Sequence, residues 1–179
     1  MSRERVETAI NRAVLALATH FTTLAVAGFC LVFASTVFGP LLADSHPLAS
    51  RAIHAAFRFG CHQIPERCLA IGPGRAPVCA RCQAIYAGLA ISGLLVSTRA
   101  WRWRFNGLAL LCAAAPIALD GFTQLFGLRE SNTPLRLATG LLWGLAVGLY
   151  TLPLVRDGMR QAAGELEETI RTTAPVASR

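Results

Sequence analysis

Four uncharged stretches govern what this chain can fold into. Ala13 to Ala43 runs 31 residues without a formal charge, and Cys82 to Thr98 runs 17, extended backwards through Val78 to Arg81. Phe105 to Leu128 is broken only by Asp120, and Leu137 to Val155 runs 19. A hydrocarbon core takes about 20 apolar residues per helical crossing. Lipid offers nothing to a free backbone N–H or C=O, so a helix is the form such runs adopt. The expectation is an all-α integral membrane bundle of about four transmembrane helices. The spans fall at about 15–42, 79–98, 106–127 and 134–155, in a single domain over 1–179.

Composition agrees. Only 15% of residues are charged and mean hydropathy is +0.47, whereas soluble domains carry about 25% charge. All 17 basic residues are arginine. The formal charge of +7 is scattered between apolar runs, which argues against nucleic acid and for membrane lipids with anionic headgroups as partners.

The arginines also suggest an orientation. Arg3, Arg5 and Arg12 precede span one, Arg99, Arg102 and Arg104 sit with Trp101 and Trp103 between spans two and three, and Arg156 and Arg160 follow span four. With four spans all three groups share one side. The positive-inside rule makes that side the cytoplasm of a plasma (inner) membrane, with both termini and the tail 156–179 inside. Glu4, Glu7 and the length of the first run mark an uncleaved first helix and not a signal peptide. Residues 44–78 then form an extracytoplasmic loop. Within it, Pro47 to Gly60 reads as a helix carrying Arg51, His54 and Arg58 at i, i+3 and i+7, lying either in the headgroup region as an interfacial helix or in solvent as a loop helix. Ile71-Gly72-Pro73-Gly74 reads as a turn.

That loop carries the chemistry. Cys61, His62, Cys68, Cys79 and Cys82 place four thiols and an imidazole within 22 residues. If Pro77 begins the second span, Cys79 and Cys82 lie in its first turns on one face, where the positive helix end and Arg81 favour thiolate. Thiolates bind soft metal or attack disulfides, so the spacing serves either a zinc-type site or a redox pair. Cys61 and Cys68 upstream complete a four-ligand set, with His62 as a substitute for one thiol.

A second cluster runs from Asp120 through Gln124, Arg129, Ser131 and Asn132 to Arg136. A carboxylate inside a span faces a partner or a wet cavity, and Arg81, Arg129 and Arg136 are its countercharges. Thr133 as N-cap and Pro134 as first helical residue open span four, whose positive end would join Arg129 and Arg136 in an anion site. Gly140, Gly144 and Gly148 in span four, and Ala84, Gly88 and Ser92 in span two, are close-packing ladders that suit a tight bundle or a homo-oligomer.

These residues resemble a prokaryotic family of small predicted membrane proteins, domain of unknown function 2085. The likeness lies in Cys61-His62-Gln63 with Pro65-Glu66-Arg67, and in Pro77-Val78-Cys79-Ala80-Arg81-Cys82 with Ile85-Tyr86-Ala87-Gly88. It continues in Asp120-Gly121 with Gln124, Gly127, Arg129-Glu130-Ser131-Asn132, Arg136 and Gly140. Members often carry serine where this chain has Cys68. The resemblance therefore implies Cys61, His62, Cys79 and Cys82 as the ligands, and a multi-span membrane fold.

Three functions fit. The first is a zinc site beside an Asp-Gln-Arg pocket that handles an anionic or lipid-linked substrate. There Asp120, Gln124 and His62 are the catalytic candidates, and Arg81, Arg129, Ser131, Asn132 and Arg136 bind the anion. The second is a quinone-linked thiol oxidoreductase using Cys79 and Cys82 as the active pair and Cys61 with Cys68 as relay. The third is a proton-coupled transporter or flippase using Asp120.

Overall fold

The computed structural model describes residues 3–98 and 106–173. The link at 99–105, with its arginines and tryptophans, and the side chains of Arg3, Arg5 and Arg12 lie outside the described residues. Helix α1 (Arg3–Leu41) is followed by α2 (Pro47–Phe57), a 3-10 turn (Pro65–Arg67) and a hairpin of β1 (Cys68–Ile71) and β2 (Gly74–Cys79). Then come α3 (Ala80–Ser97), α4 (Gly107–Leu125) and α5 (Thr133–Thr173). Among the described residues four helical segments are long and apolar enough to cross a membrane: Ala18–Leu41, Ala80–Ser97, Gly107–Leu125 and Thr133–Glu168. Large apolar side chains such as Leu31, Phe38, Leu108, Leu111, Leu119 and Leu154 point outward, a surface suited to lipid and unsuited to water.

The bundle is organised on α3 and α5, which run side by side in the same direction. A methyl group placed on Gly88 would lie 2.6 Å from Leu145 N and 2.7 Å from Leu141 O. On Gly140 or Gly144 it would strike the carbonyl of Arg81 or Ile85. Without an apolar driving force between helices in lipid, such backbone approach is what holds a pair together. The glycine ladders of α3 and α5 thus pack on each other inside one chain. Val96, Leu149 and Leu152 form the core at the far end of this pair, with Ala25 and Phe29 of α1 packed on it. Helix α4 stands apart: 11% of its residues are buried, against 44% in α3.

Three local expectations change. Pro77 does not begin the second span but lies in β2, where residue 76, biased to extended backbone by the following proline, continues a strand. The ladder pairs Cys68 with Cys79 and Ala70 with Arg75 around a bulge, so the missing N–H of Pro77 falls where regular pairing is interrupted. Gly72, at φ +58°, makes the turn. The fourth helix is capped by Asn132, whose Oδ1 accepts from Leu135 N at 2.9 Å, so Thr133 and Pro134 are its first two residues. Nor does that helix end near 155. Beyond Pro153 the chain offers Arg, Met, Gln, Ala, Glu and Leu, all good helix formers, and it runs on unbroken to Thr173.

The hairpin lies against the end of α1. A methyl on Gly74 would meet Pro40 O at 2.7 Å, and one on Gly39 would meet Ile53 of α2 at 3.0 Å. Val78 and Ala76 are almost wholly enclosed. The segment read as a loop is therefore a folded cap on one end of the bundle.

Candidate metal centre

Cys79 is the last residue of β2 and the N-cap of α3, with extended backbone. Cys82 follows within the first turn, so the i, i+3 spacing sets the two side chains on one side of the helix start. Cys61 arrives from the segment after α2. The Cys79 N–H donates to Cys61 Sγ at 3.2 Å, and the amide of Gln63, two residues on, donates to His54 O at 2.7 Å and Pro77 O at 2.8 Å. Gln63 takes the left-handed backbone, φ 51°, which is uncommon for a residue with a side chain. In return its amide ties α2, β2 and the Cys61 segment into one unit.

The sulfurs of Cys61, Cys79 and Cys82 all lie within 4.8 Å of one another. Tetrahedral zinc–thiolate bonds of about 2.3 Å place sulfurs ~3.8 Å apart, so this triangle suits three corners of such a site. It edges a cavity of about 210 Å³ that is also lined by His62, Arg67 and Arg81. Hydrogen bonding with Cys82 holds the Cys79 thiol well below the ordinary thiol range, against opposing burial. Cys68 behaves differently. It is buried, lies across the hairpin from Cys79 and is outside the sulfur triangle. Burial, with Cys61 and Cys79 adding to it, pushes its thiol up to about 11. His62 lines the cavity but is exposed and also stands outside the triangle.

The second cluster is centred on Asp120, 3% exposed in α4. Its Oδ2 accepts from Arg81, from Ser131 Oγ at 3.0 Å and, more distantly, from Gln124 Nε2 at 3.5 Å. Its Oδ1 accepts from Arg129 at 3.0 Å. Asp120 is itself the anion that Arg81, Arg129 and Ser131 surround. Asn132 serves as the helix cap, and Arg136 is buried at the start of α5, with no side-chain hydrogen bond or ion pair to another described residue. The two clusters share one residue. Arg81 sits between Cys79 and Cys82 in sequence, lines the sulfur cavity and reaches Asp120, so the ion pair anchors the segment that presents two of the three sulfurs.

Residues 61–150 match the family model described as predicted membrane protein, DUF2085. The chain belongs to this family. The matched span begins at Cys61 and takes in every residue of both clusters. An uncharacterised protein of the archaeon Methanocaldococcus jannaschii is 38% identical over 108 residues, covering 59% of this chain and 69% of the relative. A second, from Methanothermobacter thermautotrophicus, is 38% identical over 96 residues, covering 53% of this chain and 86% of the relative. No solved structure matches the chain. This member of the family is a membrane protein with a cysteine cluster at one end of its helices.

Sequence reasoning gave Gln63 no role, although it stands beside Cys61 and His62. Its signal is conformational, a positive φ combined with two backbone acceptors, and neither can be read from composition or spacing.

Proposed function

We propose that this protein carries a zinc-type metal site on Cys61, Cys79 and Cys82, at the extracytoplasmic face of the membrane, with one coordination position facing the cavity. The observation that carries the reading is the convergence of three sulfurs from two separate segments within 4.8 Å. Soft thiolates select zinc among common divalent ions. Three thiolates on a divalent ion leave one net negative charge, and Arg67 and Arg81 at the cavity edge offset it. Bound zinc would supply Lewis-acid polarisation of a group entering the cavity. His62, exposed on the same cavity, is the side chain suited to move a proton there. Asp120 acts through Arg81 as a positioning residue, because its carboxylate is already occupied by donors.

The test is metal content and free thiols measured together on protein purified in detergent without reductant or chelator. About one zinc per chain is expected, as one tetrahedral thiolate site holds one ion, lost in Cys79→Ser and Cys82→Ser and kept in Cys112→Ser. A metal-free protein that refuses added zinc, with Cys79 joined to Cys82 or Cys61 in a reducible disulfide, would overturn the metal site. Quinone-coupled thiol oxidation would then be the activity to assay.

A further inference from the structure

A second cavity, of about 530 Å³, borders the first, with Gln63 lining both. Its wall is basic. Arg51, His54 and Arg58 come from one side of α2 and its C-cap, Arg75 comes from β2, and among the described residues no carboxylate lines the space. The spacing of i, i+3 and i+7 explains why three side chains of one short helix meet there. Arg75 is steadied by donating to Pro65 O at 2.6 Å. Among the described residues none of the three arginines forms an ion pair. Like charges gathered on one concavity repel one another, and an anion relieves that repulsion. The guanidinium fork matches phosphate oxygens two at a time, which favours a phosphoryl group over a simple halide.

The position of the cavity selects the source of the phosphate. Helix α2 and the hairpin rest against the end of α1 at Gly39 and Pro40, level with the end of the span Ala18–Leu41. Leu48 in the first turn of α2 and Phe59 just beyond its end are 79% and 99% exposed, as suits a helix lying among headgroups with apolar side chains dipping into the acyl boundary. We infer that the cavity between α2 and β2 is a binding site for the phosphate of an anionic membrane lipid headgroup, gripped by Arg51, Arg58 and Arg75. It is a site distinct from the Asp120 cluster, and it stands whether or not a metal occupies the cysteines.

The test uses full-length protein in detergent micelles, titrated with dioctanoyl phosphatidic acid, dioctanoyl phosphatidylcholine and inorganic phosphate. Saturable binding of phosphatidic acid at one site per chain is expected, with phosphatidylcholine weaker. The double substitution R51Q/R58Q should weaken phosphatidic acid at least about tenfold, the scale of losing one or two charge-assisted hydrogen bonds. R75Q should weaken it independently. The control R160Q, exposed on α5, should bind like the wild type, and R51Q/R58Q should keep the wild-type melting temperature. Inorganic phosphate binding as tightly as phosphatidic acid would overturn the lipid assignment in favour of a soluble phosphate. Wild-type affinity in R51Q/R58Q and R75Q, or no saturable binding at all, would overturn the site itself.

Discussion

The two polar clusters at the hairpin end use similar materials to opposite ends. Around Asp120 the carboxylate is answered on both oxygens: nearly enclosed, it meets two guanidinium groups and a hydroxyl from α3 and from the segment between α4 and α5. Around Cys61 three soft ligands converge on a cavity and leave it open. A satisfied buried charge pins structure and is costly to disturb, since removing one partner strands the other. The thiol triangle instead borders open space. The difference matters most for α4, which has little burial of its own and which the Asp120 ion pair ties to α3.

Substitutions grade this contrast. Asp120→Ala should have the largest effect, a loss of about 3 kcal/mol or more from stranded arginines in a poorly hydrated setting. It would be read as a fall in the melting temperature of the detergent-solubilised protein, and an unchanged melt with lost function would make Asp120 a chemical group instead of a clamp. Arg81→Ala should cost about 2 kcal/mol and also weaken zinc retention, because Arg81 lies between two of the sulfurs. Stability lost with zinc affinity untouched would uncouple the clusters. Arg129 is half-exposed on the same carboxylate, and Arg129→Ala should cost under about 1 kcal/mol. Cys68→Ser should change zinc stoichiometry least. In the folded wild type, Cys68 should resist iodoacetamide at pH 8, well below its raised value of about 11, and react once the chain unfolds.

The four spans were legible because hydrophobic run length answers directly to membrane thickness. Asp120, Arg81 and Arg129 were legible as a group because an acid inside an apolar run demands a partner. The sulfur triangle was legible as composition but not as geometry. Strands of four and six residues, with Pro77 inside one of them, carry no clean alternation, so the hairpin that delivers Cys79 was invisible and Pro77 looked like a helix start. That Asp120 is itself the anion Arg129 holds could not be read from spacing, which offered an added anion equally well. The destination of the glycine ladders also lay beyond the sequence, since a small-residue face does not declare whether its mate is in the same chain.

The partnership of α3 with α5 also sets an order of events. These helices are neighbours in space but not along the chain, with α4 made between them. A chain emerging from its N-terminus therefore completes α3 well before the surface that α3 packs on exists. Until Gly140 and Gly144 arrive, the Arg81 and Ile85 carbonyls lack the surface they pack on, and until Ser131 arrives Asp120 lacks one of its donors. Cys61, Cys79 and Cys82 thus acquire their full support last, as the final helix closes the bundle. An ion met earlier would find a hairpin on a helix still waiting for its partner.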